Sequence, residues 1–396
     1  MTAVQTGALE RRGLAMATTA LLIGIFAVGS EALVISPLLA DIAGDLGVTI
    51  ERAGLAVGIY GAAVAITAPF GGALSDRVGR RRAILAGLGV FALGGAASAA
   101  APTLAALLAG RALCGLGAGT FLPAAYAWVG DEVPYEERAR VMGRVVSGWA
   151  AAIVFGVPIG ALVGQVSGWR EALALMAVLA LAGALASARL VPAAPRPEGR
   201  PARVGVVRAL AIPTVGVLLA VNLLDMFAFY GVYTYLGSFV REELDVRSGV
   251  AGALILLYGV GVAVVSLNGS LLDRVGKERA LLAFLIFVAV VVAVVPLLGG
   301  VPALLGLGLL ALGLAQGGFL TCMTTIATNA SEEARGTVVA LMSCTTYVGV
   351  TLGAALMGPV FAGPGFRAVG AIAAASALAG AVTFALAQRS KRTQPR

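Results

Sequence analysis

The sequence predicts an all-helical membrane bundle of about twelve spanning helices, arranged as two similar six-helix halves. Three observations carry this. The 396 residues are 59% hydrophobic and only 12% charged, with a mean hydropathy of +0.96, whereas a soluble domain carries roughly 25% charged residues. So apolar a chain cannot cover a water-facing surface, and its outer solvent must largely be lipid. The apolar residues also fall into runs near the roughly 20 residues that cross a hydrocarbon core. Irregular or β structure cannot face lipid, and such runs exceed the length of barrel strands. Finally, one short polar link is written twice. Gly72-Ala73-Leu74-Ser75-Asp76-Arg77-Val78-Gly79-Arg80-Arg81-Arg82 returns as Gly269-Ser270-Leu271-Leu272-Asp273-Arg274-Val275-Gly276-Lys277-Glu278-Arg279, an offset of 197 residues from 72 to 269. At the same offset Glu136 and Arg138 fall on Glu333 and Arg335, Gly156 on Gly353, and Trp169-Arg170 on Phe366-Arg367. Several pairs in one register signal a duplication.

The chain opens on a polar leader, Met1 to Arg12, with no clear small-residue cleavage site after it, so the first apolar run reads as a permanent span. Spans are expected near 14–38, 53–74, 83–101, 104–129, 141–166 and 171–190, then near 209–235, 248–272, 280–298, 303–327, 337–361 and 367–387. The first half is thus 1–190 and the second 208–396. Between them 191–207, rich in Pro and Arg and without periodicity, reads as a solvated linker. The 54 glycines suit helices that approach closely through small residues.

Orientation follows from the basic residues. With the N-terminus in the cytoplasm, 22 of the 28 Lys and Arg lie in inner segments, 5 in outer ones and 1 deep in a span. The positive-inside rule therefore places both termini in the cytoplasm of a cell (inner) membrane. The net charge of +8 reflects that topology and gives no ground for nucleic-acid binding. Cys114, Cys322 and Cys344 lie in apolar runs and read as buried small residues rather than a disulfide set or metal site. The absence of histidine removes the commonest metal ligand and the usual neutral-pH proton carrier. With no nucleophile motif and no phosphate loop either, an enzyme is the least favoured class, and no metal or cofactor is expected.

The link Gly72 to Arg82 resembles the cytoplasmic signature of the major facilitator superfamily, and Gly269 to Arg279 resembles its weaker copy between helices eight and nine. Arg111-Ala-Leu-Cys-Gly115-Leu-Gly117-Ala-Gly119 resembles the family's helix-four motif. Gly156-Val-Pro158-Ile-Gly160-Ala-Leu-Val-Gly164-Gln165-Val-Ser-Gly168-Trp169-Arg170 resembles its helix-five antiporter motif, though the commonest form has Gly-Pro adjacent and a later double Gly. This variant, with Gly29-Ser-Glu31-Ala-Leu-Val-Ile-Ser-Pro37-Leu-Leu and Asp45-Leu-Gly-Val, is similar to the arabinose-efflux and chloramphenicol-resistance branch of proton-coupled exporters. The resemblance covers the whole chain. It implies a monomeric transporter working by alternating access.

Away from the terminal turns, only Glu31, Arg111 and Asp225 place charge deep inside the expected spans. A charge at the bilayer centre costs at least about 2.5–3.5 kcal/mol, so such residues usually face a cavity and work there. Counted from the expected outer ends, Glu31 and Arg111 lie at similar depth, roughly 10 Å below the surface at ~1.5 Å per residue. An arginine beside Glu31 favours its charged form and desolvation its neutral form, a balance that substrate and water access would tip. A structural ion pair between helices one and four is the alternative. Asp225 lies about one helical turn from position 228, where the repeat offset puts Glu31, which fits a central site between repeats. It has no evident basic partner, and burial favours its neutral form; a neutral acid hydrogen-bonded beside Asn222 is the structural alternative. Both acids are candidate proton carriers, and an electrostatic role in binding substrate is equally open for either. Tyr60, Tyr126, Asn222, Tyr230, Tyr233, Tyr258 and Gln316 are candidate pocket residues, since small-molecule sites are mostly apolar with a few placed polar groups. The aromatic cluster Phe227, Phe229, Tyr230, Tyr233 and Tyr235 stands out, with an interfacial belt as its other reading.

The gating candidates are Gly72, Asp76, Arg77, Gly79, Arg80 and Asp131, with Gly156, Pro158, Gly160 and Gly164 on helix five. Gly72 and Gly79 are expected to let backbones pack where the link turns. Asp76 does not serve the positive-inside rule. The resemblance implies that it faces the N-terminus of helix eleven and forms a relay with Arg80 and Asp131 that holds the halves together on the cytoplasmic side. The glycines and Pro158 are expected to give helix five a thin, kinkable face. The leading expectation is a proton-coupled exporter of small amphiphilic molecules such as drugs or sugars. An importing symporter or facilitator on the same fold, and a non-transporting membrane receptor, are the competing readings.

Overall fold

A computed structural model describes residues 3–192, 206–267, 275–331 and 334–393. It holds twelve helices long and apolar enough to cross a membrane. They are α1 (Gly13–Asp45), α2 (Ile50–Val78), α3 (Arg80–Ala99), α4 (Leu104–Glu132), α5 (Glu136–Val166) and α6 (Trp169–Leu190). The second set is α7 (Pro213–Leu244), α8 (Ser248–Val265), α9 (Lys277–Leu297), α10 (Pro302–Asn329), α11 (Gly336–Ala362) and α12 (Phe366–Arg389). Most of the linker and of the second polar link, and Glu333, lie outside the described residues.

Local chemistry sets the boundaries. Thr103 caps α4, its hydroxyl accepting from the Ala106 N–H at 3.3 Å. Pro213 and Pro302 open α7 and α10, where a missing N–H costs nothing. Gly79 separates α2 from α3 at φ +95° with no atom near its missing Cβ, so its glycine is needed for backbone conformation. Beside Gly72, Gly71 makes a close approach of its own: its Cβ would run into the Gly119 carbonyl of α4. The expected ends 38 and 235 fall short, because α1 continues to Asp45 and α7 to Leu244. Hydropathy marks where lipid begins, whereas backbone hydrogen bonds carry both helices on through polar residues. Glu31 therefore sits near the middle of α1, as Asp225 does in α7.

Packing follows one plan twice. In the first six helices α1 packs on α5 and α6, α2 on α4, and α3 on α4 and α6. The last six repeat each pairing six helices later: α7 on α11 and α12, α8 on α10, and α9 on α10 and α12. The two sets meet through α1 with α7, α2 with α11 and α5 with α8. At the α3–α4 crossing, a Cβ on Gly117 would meet the Gly87 oxygen and the Phe91 Cα, each at 2.7 Å. Gly117→Val is expected to force these backbones apart at about 1–3 kcal/mol, read as a lowered unfolding temperature in detergent. Gly89→Ala, with open space at its Cβ, should leave that temperature unchanged.

The apolar core is continuous at one end of the bundle and divided at the other. At the end carrying the α1–α2 and α7–α8 turns, one cluster runs from Leu33–Ala43 of α1 through Ala228–Val240 of α7 to Val350–Met357 of α11. Toward the chain termini two separate clusters replace it. One is built on Ala17–Ala32, Tyr60–Ala68 and Cys114–Val129; the other on Ala209–Met226, Ala280–Leu285 and Phe319–Ala327. The halves of the bundle are joined at the α1–α2 end and part toward the termini.

Candidate functional site

Glu31, Arg111 and Asp225 are all fully buried, and they fall into two arrangements. In the first, α4 points Arg111 across to Glu31 of α1 and the two form an ion pair. The guanidinium has two further partners on α2. Its Nε donates to the Ala56 carbonyl at 3.1 Å, and its carbon lies 4.7 Å from the centre of the Tyr60 ring. Arg111 thus keeps an acceptor and an aromatic face when Glu31 is neutral. A buried pair whose cation has such a reserve can lose the charge on its acid without collapsing.

In the second arrangement Gln316 of α10 donates from Nε2 to Oδ2 of Asp225 at 2.9 Å. Asn222 is not the partner of Asp225. It turns to α11, donating to the Met342 carbonyl at 3.1 Å and to the hydroxyls of Thr345 and Thr346 at 2.9 Å each. One turn beyond Asp225, Phe229 stacks on Tyr233 and on Tyr258 of α8, both at 5.4 Å, and meets the edge of Tyr230 at 5.0 Å. Burial of Phe229, Tyr233, Tyr235 and Tyr258 excludes a lipid-facing belt for them. Between the two arrangements Tyr347 of α11 meets the Tyr60 ring edge-on at 6.3 Å. Tyr126 is engaged separately, accepting from the Trp149 indole of α5 at 3.1 Å.

The contacts that shut the α1–α2 end cross between α1 and α7. The Ser36 hydroxyl donates to the Tyr233 carbonyl at 2.5 Å and accepts from the Gly237 N–H at 3.2 Å, the acceptor and donor of a single α7 turn. The Tyr233 hydroxyl donates to the Leu33 carbonyl at 3.4 Å. Nearer the surface Arg241 pairs with Asp41 at 2.7 Å, and the Gly249 N–H of α8 donates to Gln165 of α5 at 3.0 Å. A partly exposed ion pair contributes only about 0–1 kcal/mol. Closure therefore rests on the apolar seam and on Ser36.

Helix five widens ahead of Pro158. Pro158 lacks the N–H that would bond the Val154 carbonyl, and the turn before it widens to a π-helical Ala152–Gly156, with the Val157 N–H bonding Ala152. Beyond it Gly156, Gly160 and Gly164 face Ser30, Val34 and Leu38 of α1, each of which a Cβ would strike. At the other end of α2, Arg80 pairs with Asp76 and reaches Asp131 of α4 at 2.9 Å. Arg77 is exposed and Gly72 accepts from the Ser75 hydroxyl at 2.9 Å.

The model of the Major Facilitator Superfamily matches residues 21–311 and 218–396, together most of the chain. It belongs to that superfamily. The transporter is 39% identical to an uncharacterized MFS-type transporter, YwfA, of Bacillus subtilis, over 93% of this chain and 91% of the relative. It is 32% identical to the protein named transcription regulatory protein OpdE of Pseudomonas aeruginosa, over 92% and 91%. Similarity to a chloramphenicol resistance protein of Streptomyces lividans is 30% over 64% and 66%.

Of the residues singled out in its sequence, the transporter brings Glu31, Arg111 and Tyr60 together, and Asp225 with Gln316. Tyr230, Tyr233 and Tyr258 share one aromatic group. Tyr126 and Asn222 stand apart from these groups, with Trp149 and the α11 threonines. Two aromatics of this interior, Tyr347 and Trp149, escaped the sequence reading. They are 198 residues apart, as Tyr60 and Tyr258 are, one position off the 197-residue register of the repeat. Cys344, expected to be buried, is only half-buried and lies with its sulfur 3.8 Å from the Ala65 carbonyl across α2–α11.

Proposed function

We propose that this transporter is a proton-coupled exporter, exchanging protons for small amphiphilic molecules by alternating access between two six-helix halves. The observation that carries the reading is the Glu31–Arg111 pair, fully buried yet supplied with a second set of partners for the arginine. The Ala56 and Tyr60 contacts anchor the arginine on α2 independently of Glu31, which leaves Glu31 able to take up and give back a proton. Protonation of Glu31 releases Arg111 toward Ala56 and Tyr60; loss of the proton restores the pair. Asp225, held by Gln316, is the second candidate carrier. The aromatic group on α7 and α8 and Tyr347 supply the apolar wall that an amphiphilic cargo would meet. The name of the Streptomyces relative agrees with drug export.

The positive-inside rule orients the bundle with both termini in the cytoplasm of the inner membrane. In that orientation the joined α1–α2 end is the outer gate and the parted end opens inward. The Asp76–Arg80–Asp131 relay then stands ready to hold the inner end when it shuts, through the start of α11. The exporter works as a monomer without a cofactor. In everted vesicles an imposed pH gradient, acid inside, should drive uptake of a labelled amphiphilic drug, and a protonophore should abolish it. Uptake indifferent to the gradient would mean a facilitator.

A further inference from the structure

We propose that Asp225 and Gln316 form a seat for a protonated amine, so that the cargo is an amphiphilic organic cation bearing N–H donors. This rests on the export reading and names its cargo class. Charge balance is the first ground. Among the described residues the fully buried charges are Glu31, Arg111 and Asp225, and the first two neutralise each other. When ionised, Asp225 has no basic partner among the described residues, and an ionised acid there calls for a cation.

The second ground is hydrogen bonding. Gln316 satisfies only one oxygen of Asp225. Oδ1 of Asp225 and Oε1 of Gln316 are both buried and both without a partner. Two unpartnered acceptors on adjoining side chains, one of them a carboxylate, match a group with at least two N–H donors and a positive charge. The third ground is the surroundings. Phe229 is four residues from Asp225 on α7 and so lies on the same helix face. Tyr258 of α8 stacks on Phe229 at 5.4 Å. Aromatic faces attract an ammonium and accommodate an apolar body. A hard metal ion prefers several oxygens, and this wall offers rings.

The test is isothermal titration of the full-length protein in detergent at neutral pH with 2-phenylethylammonium and its neutral counterpart 2-phenylethanol. The wild type is expected to bind the ammonium about tenfold or more tightly than the alcohol. Asp225→Asn should bring the two affinities within about threefold of each other, and Gln316→Ala should weaken the ammonium and not the alcohol. Circular dichroism and gel filtration report whether each variant folds; if Asp225→Asn does not, the wild-type ratio and Gln316→Ala decide. Equal wild-type affinities, or selectivity retained in folded Asp225→Asn, would overturn the seat. Gradient-driven transport of the alcohol without amine preference also overturns it, while leaving export intact. Asp225-dependent amine binding without gradient-driven movement supports the seat and removes proton-coupled export.

Discussion

Glu31→Leu is expected to destabilise the detergent-solubilised protein by about 3–5 kcal/mol, because it leaves the Arg111 guanidinium buried without its acid. The magnitude is set by which partners remain. Arg111 retains the Ala56 carbonyl at 3.1 Å and the Tyr60 ring at 4.7 Å, and a desolvated cation–π contact contributes about 2 kcal/mol. Glu31→Leu with Tyr60→Leu should therefore lose more than Glu31→Leu alone, by roughly that amount. Glu31→Leu with Arg111→Leu should recover most of the loss, since both charges leave together. Thermal unfolding of the single and double variants reads all three. A double charge deletion no more stable than Glu31→Leu alone would show that Arg111 does not depend on Glu31.

Gly237→Leu is expected to abolish transport while leaving the protein folded. A Cβ at 237 would lie 2.6 Å from the Pro37 Cα and against the Ser36 carbonyl, both backbone atoms of α1. Backbone cannot step aside, so the α1–α7 seam must part. The seam is also where Ser36 meets Tyr233, residues that the 197-residue repeat makes equivalent, so the contact sits where the two halves face each other symmetrically. Parting it removes the closed α1–α2 end and biases the bundle toward the opposite opening. Distances between spin labels on the two sets of helices, at their α1–α2 ends, should shift to longer values in Gly237→Leu. The same distances in wild type and variant, with transport lost, would place the defect elsewhere. Ser36→Ala should act in the same direction more weakly, since it removes two hydrogen bonds of about 0.5–1.5 kcal/mol each without a clash.

The helices and the internal repeat were legible because lipid imposes a length on every span and duplication keeps a register. The charged candidates were legible for the opposite reason: Glu31, Arg111 and Asp225 stand against an apolar background. What escaped depended on helix rotation, which neither length nor hydropathy encodes. Asp225 and Asn222 lie three residues apart on α7, yet one faces α10 and the other α11. Tyr347 and Trp149 carry little polarity contrast on apolar helices. The widened turn at Ala152–Gly156 follows from Pro158, but the register of helix-five glycines against Ser30, Val34 and Leu38 needed the packed α1. Which end of the bundle is shut is a property of one conformation, and one sequence serves both.

The coupling of cargo to protons is tested most directly by proton release from the purified protein on addition of a ligand that binds it, in weakly buffered detergent solution. Wild type should release protons, and release should vanish in Glu31→Gln or in Asp225→Asn, according to which acid carries the proton. Binding without release from wild type would contradict proton exchange and leave a facilitator on this fold.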